Sequence, residues 1–150
     1  MIVALTLFVL IFSVTGLPAV HGPIVQSLGA SPYAMTMSSD ARVIVLTFAS
    51  LKNAEVFQNN GHGFQYHQTL PNSESSLDIT MTKDGTYVYL NSFAERKVLI
   101  FKAVGGGYEF FQNVSSPSGQ VSVQCSFNGE YLFTGSLVGV ITILKLAGEY

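Results

Sequence analysis

Apolar and polar residues alternate with a period of two along much of this chain, and the alternation itself recurs. From Ala34 to Ser38, Met35 and Met37 fall on one side while Thr36 and Ser38 fall on the other, the spacing of a strand that turns one face to a core. Ser39-Asp40-Ala41 supplies a turn. Val43–Phe48 follows as a β-branched and aromatic run with apolar residues on both sides, as a strand covered on both faces requires. The same order returns in Ile79–Leu90 (ITMTKDGTYVYL) and in Val123–Thr134 (VQCSFNGEYLFT), so Asp40, Asp84 and Asn128 stand in one register 44 residues apart. A period of this length marks a repeat architecture in which each copy is one supersecondary unit.

Each copy continues in the same way. Third strands are expected at Asn53–Phe57, Lys97–Lys102 and Val140–Lys145, the last after a one-residue deletion in the preceding loop, where indels belong. Glycine turns, Gly61-His62-Gly63 and Gly105-Gly106-Gly107, lead to fourth strands at Gln65–Leu70 and Glu109–Val114. The third copy reaches Gly148-Glu149-Tyr150 where its fourth strand would begin. Pro23–Leu28 (PIVQSL) aligns Gln26 with Gln68 and Gln112, which predicts a lone strand of the fourth type ahead of the first copy. In the turns, Gly85 and Gly129 accept a positive φ, whereas Ala41 in the same place should cost about 1 kcal/mol of strain or force another turn type.

Four short antiparallel strands per unit describe one blade of a β-propeller. From Pro23 to Tyr150 the chain resembles the WD-repeat families in the Asp84-Gly85 turn between first and second strands. The aromatic residues ahead of Gln68 and Gln112 make it similar also to the epitempin-type propeller repeat of secreted proteins. No copy has the Trp-Asp dipeptide, and Gly61-His62 lies between third and fourth strands rather than where a WD repeat places its Gly-His. The resemblance therefore implies a generic propeller: an all-β fold with two complete blades, 33–70 and 77–114, a partial third at 121–150, and the lone strand 23–28. A propeller closes with four to eight blades. The chain is accordingly expected to be part of a larger propeller, or to complete a ring by self-association, for example two chains forming six blades.

Ahead of the repeats, Met1–Val14 is apolar apart from Thr6 and Ser13, and Gly16-Leu17-Pro18 follows. The run has the length of a signal-peptide core and is short for a membrane span, so residues 1–22 read as a signal peptide, with cleavage after Gly16, or as an apolar anchor. A secreted or lumenal location follows, with membrane contact only if residues 1–16 stay uncleaved. The other readings are a buried strand of a longer chain and an intracellular fragment. A formal net charge of -2 with scattered Lys and Arg argues against nucleic acid.

The search for chemistry yields no convergent set. Cys125 is the only cysteine and takes the register of Met37 and Met81, the place of a buried filler. His62 lies in a turn and His67 on the next strand, so they have no reason to share a metal; His21 stands apart. Asp78 begins a first strand, where some propeller hydrolases hold a metal, but its counterparts are Ala34 and Ser122. It is expected to hydrogen-bond neighbouring amides instead. Asp40 and Asp84 read as turn formers rather than paired catalytic carboxylates, and Gly105-Gly106-Gly107 as a turn rather than a phosphate cradle. Tyr66, Tyr108, Phe110 and Phe111 should fill between blades, the other reading being a ligand-facing set. Asn113-Val114-Ser115 is an N-glycosylation triplet, meaningful on the secretory route.

No catalytic, metal or cofactor-binding residue is assigned. The function this predicts is a non-catalytic scaffold that binds protein partners through loops on the faces of the ring. The alternatives are a carbohydrate-binding propeller assembled from several chains, and part of a propeller enzyme whose active site lies in other blades.

Overall fold

The computed structural model describes residues 31–48, 53–71 and 76–146. The apolar N-terminal run, the strand expected at 23–28 and the last residues of the chain lie outside the described residues. Among those described, the structure is all β, and no helix is long and apolar enough to cross a membrane.

Among the described residues, eleven strands form three antiparallel sheets. The first sheet runs β1 (Pro32–Met37), β2 (Val43–Phe48), β3 (Asn53–Asn59) and β4 (Phe64–Leu70) in simple succession. The second repeats this with β5 (Ser76–Met81), β6 (Tyr87–Ser92), β7 (Lys97–Val104) and β8 (Gly107–Ser115). The third holds β9 (Gln120–Cys125), β10 (Tyr131–Ser136) and β11 (Ile141–Lys145), so β11 is its outer edge among the described residues.

The 44-residue period is visible in the pairing itself. Met35 faces Leu46 as Ile79 faces Leu90, and Val45 faces Val56 as Tyr89 faces Ile100. The first strands β1, β5 and β9 lie side by side, so the sheets stack face to face as blades. One apolar core joins the first two blades: Val45, Ala54, Val56 and Leu70 against Ile79, Val88, Leu90, Leu99 and Phe101. A second joins the next pair, with Tyr89, Val98 and Ile100 against Val123, Cys125 and Leu132. Burial of such side chains is worth about 1.5–3 kcal/mol each, so stacking rather than strand pairing dominates the stability.

The turn between first and second strands is built identically three times. Ser38 N–H donates to Val43 C=O at 3.0 Å, Thr82 to Tyr87 at 2.9 Å and Ser126 to Tyr131 at 2.8 Å, closing a four-residue loop. Inside it the N–H of Ala41, Gly85 or Gly129 donates to the carbonyl of the residue three before, each at 2.9 Å. All three adopt a positive φ: 54° at Ala41, 75° at Gly85 and 73° at Gly129. Ala41 thus keeps the geometry of its glycine counterparts and bears the strain of a Cβ in the left-handed region.

Replacing Ala41 with Gly should therefore raise stability by about 1 kcal/mol. Equilibrium denaturation in urea measures this as a higher midpoint at constant slope, and an unchanged or lower midpoint would contradict it.

Candidate functional site

The acidic residues nearest to one another in the repeat are occupied by the fold. In each turn the side chain of the residue three before the glycine position sets the loop: Ser38 Oγ accepts from Val43 N–H at 3.0 Å, Thr82 Oγ1 from Tyr87 N–H at 2.9 Å and Ser126 Oγ from Tyr131 N–H at 2.9 Å. The following Asp or Asn accepts from the amide two residues on: Asp40 from Arg42 at 3.0 Å, Asp84 from Thr86 at 2.9 Å, Asn128 from Glu130 at 3.2 Å. The Thr86 hydroxyl also donates to Asp84 at 2.6 Å, and this bond chiefly holds the carboxyl below its ordinary pKa. Asp40 is lowered mainly by the Ser38 hydroxyl, then by the Arg42 amide. These are ionised turn formers, as the repeat register predicts.

Asp78 spends both oxygens on backbone amides. Oδ1 accepts from Ile79 N–H at 2.9 Å, while Oδ2 reaches across to the next blade and accepts from Val123 N–H at 2.9 Å. Asn91, fully buried, supports it by accepting from the N–H groups of Leu77 and Asp78 and by donating to Gln120 C=O at 3.1 Å. Asp78 thus bonds neighbouring amides as the sequence predicts, but it lies inside β5, at the register shift between Ser76 and Ile79, rather than at the strand's end, and it ties β5 to β9. Ala34 and Ser122 at the same place do not repeat it.

Cys125 is buried in the core between the second and third blades, and burial pushes its thiol above the ordinary pKa, unsuited to a nucleophile. His62 is exposed in its turn and His67 is exposed on β4, and they are not brought to a common point with any acid. Among the described residues no group of three or more His, Cys, Asp or Glu side chains is placed to hold a metal ion.

The most developed polar device is one that the alignment of Gln68 with Gln112 only hinted at. In β4 and β8 the ladder shifts register at equivalent places, between Val56 and Phe57 and between Ile100 and Phe101. His67 and Phe111 are the extra residues of these bulges, and a bulge re-aims the side chain beside it. Gln68 follows the bulge and grips the next blade: its Oε1 accepts from Tyr108 N–H at 2.7 Å and its Nε2 donates to Tyr108 C=O at 2.8 Å. Gly107 makes this approach possible, since a Cβ there would meet Gln68 Oε1 at 2.5 Å. The Tyr108 ring enters the groove between the first two blades, its hydroxyl donating to Gly85 C=O at 2.6 Å, and burial drives its pKa up to about 12.

What remains of the groove between the first two blades is about 350 Å³, lined by Ser38, Asp40, Val43, Gln58, Gly85 and Tyr108. Its counterpart between the second and third blades is about 950 Å³, lined by the matching Thr82, Asp84, Tyr87, Lys102 and Gly129. No described residue stands where Tyr108 stands in the first. Gln112, the copy of Gln68, is exposed and lines this larger groove. Lys102 lies 5.8 Å from the centre of the Tyr87 ring and 5.7 Å from that of Phe111, and Lys83 lies 4.3 Å from that of Phe127 at the rim.

The aromatic set expected to fill between blades is divided by the structure. Only Tyr108 is buried; Tyr66, Phe110 and Phe111 are exposed. They sit on the outermost strands and pack edge-on against their own blade: Tyr66 on Phe57 at 6.1 Å, Phe110 on Phe101 at 5.9 Å, Phe111 on Tyr87 at 6.0 Å. Asn113 is exposed on β8, the outer strand of the second blade.

Asp78→Ala should destabilise the chain by about 1–3 kcal/mol, because the buried Val123 N–H loses its acceptor. Asp78→Asn, which keeps an oxygen acceptor, should lose less. Urea denaturation of the two variants measures the difference, and an unchanged Asp78→Ala midpoint would exclude the tie as a structural element.

No protein-family model matches the chain, and no curated protein matches it. Solved structures do. Sqt1 of Saccharomyces cerevisiae matches with a TM-score of 0.69 at 14% identity, over 80% of this chain and 33% of its own. A candidate 6-phosphogluconolactonase of Bacteroides uniformis matches with a TM-score of 0.66 at 19% identity, over 79% of this chain and 38% of its own. Hydrazine synthase of Kuenenia stuttgartiensis gives 0.66 at 13% identity, over 85% and 36%. The chain spans about a third of the length of these structures. The likeness at such identities is one of fold, and the three stacked sheets are blades of a β-propeller-type fold.

Proposed function

We propose that this chain is a non-catalytic binding module of a propeller, which recognises a protein partner at the rim of the groove between its second and third blades. The observation that carries this reading is Phe127. It is 80% exposed on the turn face, with the Lys83 ammonium 4.3 Å from the ring centre, beside a groove of about 950 Å³. An aromatic side chain held in place by a cation, next to a concave apolar surface, has the chemistry of an interface anchor. The polar groups around it support binding rather than turnover: Asp84 and Asn128 each hold an amide of their own loop. Sqt1 and the lactonase-type structure share the fold, so scaffold and enzyme readings start from equal ground, and the residues of this chain favour the first.

The test is affinity purification of the full chain from its own cells alongside Phe127→Ala. A discrete protein should be retained by the native chain and by the variant at least about tenfold less, with an unchanged melting curve. Retention through glycans on an array, or hydrolysis of 6-phosphogluconolactone by the purified chain, would overturn the reading in favour of a carbohydrate-binding or enzymatic propeller.

We also place the chain in the secretory pathway, on the apolar residues 1–16 and on the exposed triplet at Asn113. Expressed with its own N-terminus in a glycosylating cell, it should appear in the medium with a glycosidase-sensitive mass increment that Asn113→Gln removes. Retention in the cytosol without modification would contradict this placement.

A further inference from the structure

We infer that Asn60 is a site of spontaneous covalent modification, at which the side-chain amide closes on the Gly61 nitrogen and the residue becomes isoaspartate, whereas Asn128, the other asparagine followed by glycine, is protected by its turn. The sequence marks both pairs alike, and the structure separates them.

The reaction needs an amide nitrogen that can shed its proton and reach the asparagine Cγ without crowding. Hydroxide takes the proton from the glycine nitrogen, which attacks Cγ. The bond from Cγ to Nδ2 breaks, and the departing nitrogen takes a proton from water and leaves as ammonia. The product is a five-membered succinimide. Water then opens one of its two carbonyls: one opening gives aspartate, and the other routes the main chain through the side-chain carbon and gives isoaspartate. Glycine favours the attack because it has no Cβ to shield its nitrogen and a backbone that rotates with little hindrance.

Asn60 lies in the turn between β3 and β4, exposed together with Gly61 and His62. Gly61 has a φ of 88°, and a Cβ there would meet no described atom within 4 Å beyond its chain neighbours. Its N–H is held by the exposed Asn59 side chain, whose Oδ1 accepts at 2.9 Å, so a swing of that side chain releases it. Asn60 Oδ1 accepts from His62 N–H at 2.9 Å, which draws electron density from the carbon to be attacked. This openness belongs to the turn's place on the rim. In the second blade, which has described blades on both sides, Gly105 takes the register of Gly61 and also has open space, and Val104, the counterpart of Asn60, is 46% exposed.

Asn128 is held differently. The Gly129 N–H donates to Ser126 C=O at 2.9 Å, a main-chain bond inside the loop that Ser126 N–H and Tyr131 C=O close at 2.8 Å. The Ser126 hydroxyl donates to Asn128 Oδ1 at 2.8 Å and accepts from Tyr131 N–H at 2.9 Å, while Glu130 N–H donates to the same Asn128 oxygen at 3.2 Å. A Cβ on Gly129 would touch Thr82 Cγ2 of the neighbouring turn at 3.7 Å. The nitrogen and the carbon it must reach are parts of one bonded unit, which has to open as a whole before they can meet.

The test is incubation of the full chain at mildly alkaline pH, with peptide mass spectrometry for the exchange of NH for O and enzymatic methyl transfer to isoaspartyl carboxylates as readouts. In the folded chain the product should form at position 60 at least about tenfold faster than at position 128. In urea the two rates should fall within about threefold of each other, because the turns that distinguish them are gone. Asn60→Gln, whose longer side chain would have to close a six-membered ring, should abolish the product at that position and leave the urea midpoint unchanged. A folded-state rate at Asn128 equal to or above that at Asn60 would overturn the inference. So would a preference for Asn60 that persists undiminished in urea, or aspartate at position 60 without isoaspartate.

Discussion

A flat antiparallel sheet with apolar residues on both sides has two faces and an outer edge to cover, and everything else in this chain depends on how that is met. The second blade meets it fully. Its β5, β6 and β7 side chains divide between two cores, one shared with each neighbour. The flanking blades carry the same pattern and meet it by half. Met35 is 64% exposed where its copy Ile79 is 5%, and Ile143 is 60% exposed where its copy Ile100 is 2%. Nothing in the local sequence distinguishes these pairs. Their environments differ because no described blade lies against Met35 or Ile143, although Leu46, Phe48 and Phe57 on the outer side of the first blade are buried in a smaller cluster of their own.

Most of the fold was legible for the same reason that it is repetitive. A period of two within strands and of 44 residues between them leaves little freedom in topology, and the second strand of the first copy, Val43–Phe48, has the bounds that its pattern predicts. Ala41 was legible as strained because two glycines occupy its register. The groove was not legible. Gln68 and Gln112 align in the sequence, but their placement depends on a bulge one residue earlier, and a bulge shows in hydrogen-bond register rather than in residue type. For the same reason Tyr66, Phe110 and Phe111 read as blade filling: alternation counted along the strand assigns sides correctly only until the extra residue enters. The hydroxyls of Ser38, Thr82 and Ser126 recur as faithfully as the acids but are less legible, because an Asp-Gly pair is a familiar turn signal and the residue two positions before it is not.

The acids show how a repeat separates structure from chemistry. Asp40 and Asp84 lie in one register and do one job, holding an amide two residues ahead, with Asn128 as a neutral substitute. An acid that a neutral amide replaces in the next copy is there for its oxygen, not its charge. Asp78 breaks the repeat and invites a functional reading, yet its second oxygen is committed to Val123 N–H. A carboxylate with both oxygens held by amide donors is fixed in place by the backbone, and it offers little to a substrate.

The two grooves allow a stricter argument than either alone. They share walls, and they differ by about 600 Å³, the difference between about 950 Å³ and about 350 Å³. In the smaller one a tyrosine ring and its glycine neighbour occupy the space, held by the Gln68 side-chain amide, which pairs with the Tyr108 N–H and C=O, and by the Tyr108 hydroxyl's bond to Gly85 C=O. The larger groove keeps open the space that the Tyr108 ring fills in its twin, so the repeat dictates the walls of a groove while the residue delivered by the neighbouring strand decides how much of it stays open.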